Sequence, residues 1–356
     1  MYQTTVYRNI RSTDYRAERQ RVVALPDCRD FIMKLNTSVP MLLIDEVVLD
    51  GLEAMDCSGL DVMSVKVGVD IKYLSAITLL TDPRFDVIYF TNDTKQDFLD
   101  FRTDPKRIIP KEFEVEKIGS ICFPTNIKKF KEFWRRSKQI DCLNLFIPRK
   151  GQKVHLDPRK SAGSLAKIRD IILRYDMYPF LNGGTLLGWY RECSVIPHTN
   201  DMDLAIFANE YNPDFLTHIM SNDSEVKLNR RFGRPSDSFE FTIKMKEGYK
   251  VFTDIFFMYE DRNANGTKYH WVGGCGGDGT KYKFIYPEYD PYCSANLFGH
   301  IFWVTCSPNF QITEEYGKLW YQDHKTSSYY WNKSGRNVQP NGNWSKAEMK
   351  EVYYVA

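Results

Sequence analysis

No apolar run in these 356 residues approaches the ~20 needed to cross a bilayer. The opening MYQTTVYRNIRSTDYRAERQR is polar and basic and lacks the apolar segment of a signal peptide. An excess of one charge is missing too. Lys and Arg number 48 against 46 Asp and Glu, a formal net of +2 that gives no footing for a nucleic-acid partner. The eight cysteines (28, 57, 122, 142, 193, 275, 293 and 306) form no CxxC pair and no Cys/His cluster at zinc spacing. A structural zinc site is therefore poorly supported, while disulfides stay open without assigned pairs. GxxxxGK[ST] does not occur, and the glycines of 273–279 are not by themselves evidence of a P-loop or a dinucleotide fold. There is no internal repeat and no low-complexity tract.

The chain is long enough for two domains, with an ordinary globular balance of 43% hydrophobic and 26% charged residues. Aromatics are heavy at 15%, which suits a packed core with recognition surfaces. N-x-S/T triplets begin at Asn36, Asn92, Asn222, Asn265, Asn332 and Asn343, an excess over chance that fits a glycosylated chain of the secretory pathway.

Residues 1–25 read as disordered or as a linker, and residues 26–150 as a small α/β domain. Strands are expected over 39–48 (VPMLLIDEVV), 64–71, 85–90 (FDVIYF) and 142–148. Residues 127–136 (IKKFKEFWRR) read as a basic amphipathic helix with its aromatic side packed. The polar stretch 151–160, carrying Pro158, marks the boundary. From residue 160 to 356 a second domain follows, opening with a helix over 162–175. Glu240–Lys246 and 251–259 (VFTDIFFMY) read as strands, and WVGGCGGDG (271–279) as a glycine-rich loop, a mobile lid in its functional reading.

The segment LNGGTLLGWYRECSVIPHTNDMDLAIF (181–207) carries the chemistry. Side chains at i and i+2 of a strand share one face, so Asp201 and Asp203 project together while Met202 and Leu204 enter the core. Asp254 stands in another apolar run, placed for an adjacent strand. Three hard oxygen ligands from two strands suit Mg²⁺ or Mn²⁺. A local salt bridge or a helix cap is the plainer alternative for the aspartate pair. Gly183 and Gly184 follow a short strand and precede a helical TLLGWYR. Missing Cβ atoms there let the backbone approach a phosphate, and a helix start offers free N–H donors. Glycine pair, carboxylate pair and a distant single carboxylate form the pattern of a nucleotidyltransferase-type phosphoryl-transfer site.

The same segment resembles the LicD/fukutin family, on the fukutin side of it. NGGTLLGWYRECSVIP followed by DMDLAIF carries the resemblance, which continues through FGRPSDSFEF, VFTDIFFMYE, KYKFIYP, EEYGKLW and NVQPNGNW. It runs from residue 162 to 354. One departure is visible: His198, Thr199 and Asn200 stand where many members carry a denser acidic run. The resemblance implies an α+β fold, with a nucleotidyltransferase-like catalytic domain built on a small mixed β-sheet behind a smaller α/β N-terminal domain. It implies transfer of ribitol 5-phosphate from CDP-ribitol to an O-mannosyl glycan on a glycoprotein such as dystroglycan. A Golgi lumenal setting, type II membrane topology and related Golgi glycosyltransferases as partners come with it.

Carried onto this chain, the resemblance gives Asp201 and Asp203 one or two Mg²⁺ (or Mn²⁺) ions bridging the diphosphate. Asp254 completes the metal shell or accepts the proton of the attacking hydroxyl. Gly183, Gly184 and Thr185 form the phosphate-facing turn, and Arg191 meets a donor phosphate. Lys281 and Lys283 meet the diphosphate or an anionic acceptor. The competing readings are a non-catalytic glycan-binding scaffold and a transferase using CDP-glycerol or CDP-choline.

Overall fold

The computed structural model describes residues 26–58, 60, 64–74, 82–149, 153–325 and 328–356. The linker expected over 1–25 lies outside them. The chain divides into two compact units, Met1–Lys138 and Gln139–Ala356.

The first unit contains α1 (Pro26–Lys34), β1 (Met41–Leu43), α2 (Glu46–Ala54), β2 (Val65–Asp70), β3 (Phe85–Thr91) and β4 (Phe98–Phe101). Then come β5 (Arg107–Pro110), β6 (Val115–Ile118), β7 (Ile121–Pro124), α3 (Ile127–Arg135) and the first residue of β8 (Lys138–Gln139). Their pairings order a mixed sheet β6-β7-β1-β2-β3-β4-β5-β8. The expected strand over 39–48 stops at Leu43. Asp45 ends it by accepting hydrogen bonds from the Val47 and Val48 N–H groups, which starts α2 instead. On α3 the expected apolar side is present, with Ile127, Phe130, Phe133 and Trp134 buried.

The second unit contains α4 (Pro158–Leu173), β9 (Phe180–Leu181), α5 (Gly183–Glu192), β10 (Asp201–Phe207), α6 (Pro213–Met220) and β11 (Val226–Arg234). It continues with β12 (Asp237–Met245), β13 (Phe252–Arg262), β14 (Lys268–Cys275), β15 (Thr280–Pro287), β16 (Cys293–Leu297) and β17 (His300–Val304). It closes with α7 (Pro308–Tyr316), β18 (Val338–Asn343), α8 (Lys346–Val352) and β19 (Tyr353–Val355). The central sheet runs β16-β17-β9-β10-β13-β12-β11-β19, with β10 and β13 parallel. Beyond Phe257, β13 pairs with β14 and leads into an antiparallel extension β14-β15-β18. The α+β class with a mixed catalytic sheet is as expected.

The unit boundary falls before the polar stretch that marked it in the sequence. From Gln139 onward the chain is already tied to the second unit. Ile140 N–H donates to Ser294, Leu143 to Tyr190 and Leu145 to Arg191, and His155 and Leu156 both donate to Pro197. The Cys142–Cys193 disulfide fixes the same lead-in. Residues 142–148 pair through these single bonds and form no strand.

The glycine-rich stretch is also not a lid. Gly273 and Gly274 lie inside β14, and only the turn after Cys275 is a loop. A Cβ on Gly273 would sit 2.3 Å from the Ser238 Oγ, so this strand is glycine-bearing because β12 crosses it closely.

Candidate active site

The parallel pairing of β10 and β13 sets Asp203 directly beside Asp254, and Asp201 beside Phe252. Across β12 and β11 the register continues, Asp254 opposite Thr242 and Thr242 opposite Arg230. Residues directly paired across a sheet share a face, and neighbouring strands lie ~4.8 Å apart. Asp203, Asp254, Thr242 and Arg230 therefore form a polar row over four strands. Asp201 and Glu240 flank it two positions along β10 and β12 on that same face. The other face is apolar: Met202, Leu204, Ile206, Ile255, Phe257, Phe239, Phe241 and Ile243 are all buried. Phe239, Phe241 and Phe257 pack edge to face there with one another or with Tyr211, and Phe215 lies tilted against Phe241. One sheet thus has a core side and a charged side.

The carboxylates sit in an environment that resists their charge. Burial, then repulsion from Asp201, Asp254 and Glu315, pushes the Asp203 carboxyl well above the usual range. Asp254 is raised to about 6, by burial first and by the Asp201 charge, against a lowering hydrogen bond from Thr242 and the Arg230 charge. Glu240 is raised to about 7, by burial and then by the Asp254 charge, although Arg230 donates to it. Four carboxylates face one guanidinium in the row.

Local structure holds the group in place. The Asp203 N–H donates to Thr185 Oγ1 at 2.7 Å, and the Asn182 N–H donates back to the Asp203 carbonyl at 3.3 Å. These bonds lock the start of α5 to β10. Thr199 Oγ1 donates to Asp201 at 2.7 Å. Gly183 has a left-handed φ of +49°, and a Cβ there would lie 3.1 Å from Asp203 Oδ2. A Cβ on Gly184 would lie 3.5 Å from the same oxygen. The glycine pair therefore makes room first for the Asp203 carboxylate. The start of α5 has no side-chain cap, and the buried Asn182 Oδ1 beside it has no hydrogen-bond partner. Free N–H donors and an uncapped positive helix end beside Asp203 suit an anion bridged to that carboxylate.

Arg191 is a correction. It is 1% exposed, and its donors are engaged by Glu192, by Asp323 and by the carbonyls of Trp320 and Gln322. Arg149 and His198 join the same Asp323 and Glu192 cluster. The donor-phosphate contact carried over by resemblance does not form: α5 points Arg191 inward, where it fixes the end of the helix. Lys281 and Lys283 are likewise engaged. The Lys281 ammonium lies 2.6 Å from Asp237 and 4.2 Å from the Trp344 ring centre. That of Lys283 lies 4.0 Å from the Trp271 ring centre and 3.9 Å from Asp261. A cleft of about 570 Å³, lined by His155, Arg159, Tyr249 and Phe298 among others, contains none of the four carboxylates.

Glu240, Thr242 and Arg230 were not singled out from the sequence. The signal was the alternation in DSFEFTIKM, where Glu240, Thr242 and Lys244 interleave with four apolar residues. Glu315 was also missed. It is buried on α7, accepts from the Tyr286 hydroxyl at 2.7 Å, and its charge reaches Asp203.

Among the described residues no group of three or more His, Cys, Asp or Glu side chains forms a ready cage for a metal ion. The oxygen-only donor set still fits a hard divalent cation. Mg²⁺ is commonly held by one or two carboxylates plus substrate phosphates, and the mutual repulsion of Asp201, Asp203 and Asp254 favours any cation that enters.

A family model described as LicD/FKTN/FKRP, nucleotidyltransferase domain matches residues 177–307, which contain the whole polar row. One described as W02B3.4-like, N-terminal domain matches residues 27–141. The uncharacterized protein W02B3.4 of Caenorhabditis elegans is 50% identical over 99% of this chain and 94% of its own length. The chain belongs to the LicD/FKTN nucleotidyltransferase superfamily. A second nematode relative, the uncharacterized protein T07A5.1 of Caenorhabditis elegans, is 42% identical over 92% of this chain and 86% of its own length. The human ribitol-5-phosphate transferase FKTN is 36% identical over 54% of this chain and 40% of its own length. The likeness to fukutin is thus confined to part of each chain, whereas the nematode proteins match both units. Membership brings a nucleotidyltransferase-like catalytic domain, and special closeness to fukutin gives way to that broader placement.

Proposed function

We propose that this protein is a metal-dependent transferase that moves ribitol 5-phosphate from CDP-ribitol to a hydroxyl of an O-mannosyl glycan on a glycoprotein. The observation that carries the reading is the register row Asp203–Asp254–Thr242 beside the uncapped start of α5. Likeness to FKTN, by its name a ribitol-5-phosphate transferase, supports the alcohol.

Asp201 and Asp203 would hold a divalent cation, Mg²⁺ or Mn²⁺. When bound, that ion supplies charge neutralisation on the diphosphate and orients the leaving group. The residues do the rest. Gly183 and Gly184 bring free N–H donors of α5 near the phosphates. Thr185 fixes the Asp203 backbone. Asp254, with its carboxyl near 6, accepts the proton of the attacking hydroxyl. The new oxygen–phosphorus bond forms as the diphosphate bridge breaks, and CMP leaves with the bridging oxygen.

A lumenal, oxidising setting is supported by three disulfides, Cys28–Cys57, Cys142–Cys193 and Cys293–Cys306. Five of the six N-x-S/T asparagines are exposed, and Asn332 is half-buried. No helix among the described residues is long and apolar enough to cross a membrane.

The test is CMP release from CDP-ribitol with Mn²⁺, using a phosphorylated O-mannosyl glycopeptide as acceptor. Acceptor-dependent CMP is expected and should vanish in Asp201→Asn. Folded protein that binds the glycopeptide without turning over CDP-ribitol, CDP-glycerol or CDP-choline would leave the scaffold reading in its place.

A further inference from the structure

Resting on that reading of the carboxylate face, the geometry points to Arg230 as the residue that grips the donor diphosphate. Arg191, on α5, is sealed inside the protein. Arg230 lies in the polar row itself, one strand beyond Thr242, and its side chain keeps 37% exposure. Its Nη2 donates to Glu240 and lies 3.8 Å from Asp254, and its Nε donates to Thr242 Oγ1 at 3.2 Å. Lys244 is the next cation along that face, but its ammonium stands over the Phe252 ring at 4.8 Å. Lys281 is held by Asp237 and Trp344.

Without ligand, Arg230 acts as counter-ion to crowded carboxylates. A divalent cation on Asp201 and Asp203 takes over that duty for the row. The guanidinium fork is then free to meet a diphosphate oxygen pair, for which its planar, two-pronged donors are suited. Thr242 holds the stem in line during that exchange. One residue thereby opposes cation binding and favours nucleotide binding, an opposition that a merely structural arginine does not produce.

The test measures Mn²⁺ alone, Mn²⁺ with CDP, and cytidine by calorimetry at pH 8. Removing Arg230 by itself strands the buried Glu240, so the comparison is made within Glu240→Gln, which keeps a neutral partner. Adding Arg230→Gln should weaken CDP binding about 10- to 100-fold, leave cytidine unmoved and leave Mn²⁺ alone as tight or tighter. Adding Arg230→Lys instead, which keeps charge but not the fork, should restore the original Mn²⁺ affinity and only part of the CDP affinity. CDP affinity unchanged within about two-fold, or CDP and Mn²⁺ weakened together, would overturn the assignment. Wild-type protein that binds neither Mn²⁺ nor CDP would overturn the proposed function itself and this assignment with it.

Discussion

At the scale of single residues, the candidate site is a place where the protein tolerates unfavourable charge. Asp254 and Glu240 carry carboxyls raised to about 6 and about 7. A group whose proton is held more tightly in the native state than in the unfolded chain takes stability away as pH climbs through the interval between the two values. With no divalent cation present, thermal stability should therefore fall between about pH 4 and about pH 7, as a fluorescence melting series will record. Asp254→Asn should stabilise the protein at pH 7.5 by an amount on the order of 1–3 kcal/mol, read as a higher melting temperature, and the gain should shrink toward zero near pH ~3.5, where the carboxyl is protonated in the native and the unfolded chain alike. A variant equally stable or weaker at both values would mean that Asp254 is a well-satisfied structural acid.

At the scale of elements, α5 and β10 behave as one piece because Thr185 accepts the Asp203 N–H. Thr185→Val keeps the volume but leaves that N–H without a partner, which should cost about 1–3 kcal/mol in urea unfolding. Turnover should fall further than stability accounts for, since Asp203 loses its tether. The legibility of the sequence divides along the same line. Asp201 and Asp203 could be read from strand alternation, and Asp254 from a carboxylate inside an apolar run, because each signal is local. Glu240 and Arg230 join the site through the register of β11 on β12 and of β12 on β13, which local spacing does not encode. Arg191 was misread because helical spacing fixes a side chain's angle but not what lies beneath it. The glycine run was misread for a similar reason: its strand state comes from pairing with β13 and β15, and the need for Gly273 from the close approach of Ser238, both distant in sequence.

At the scale of the whole molecule, the α+β class and the two-part organisation were visible in the sequence, while the dividing point was placed too late. Polar composition marks where water is tolerated, not where cooperative packing ends. Gln139 onward belongs to the catalytic unit through backbone bonds and through Cys142–Cys193. That bridge closes a separation of 51 residues. Loop-closure entropy assigns such a link about 4 kcal/mol. Cys142→Ser should lower the denaturant midpoint of the catalytic unit accordingly, and a midpoint unchanged under non-reducing conditions would show that the packed lead-in holds without it.

The crowded carboxylates have a further consequence, in the currency of protons. With side chains raised to about 6 and about 7, part of the site is protonated at mildly acidic pH. A cation entering Asp201 and Asp203 must then displace hydrogen ions held nearby, so loading is an ion exchange. Each proton released makes the apparent affinity rise up to about tenfold for every unit that the surroundings become more alkaline. The acidity of the compartment, as much as its metal content, would set what fraction of these molecules is ready for donor.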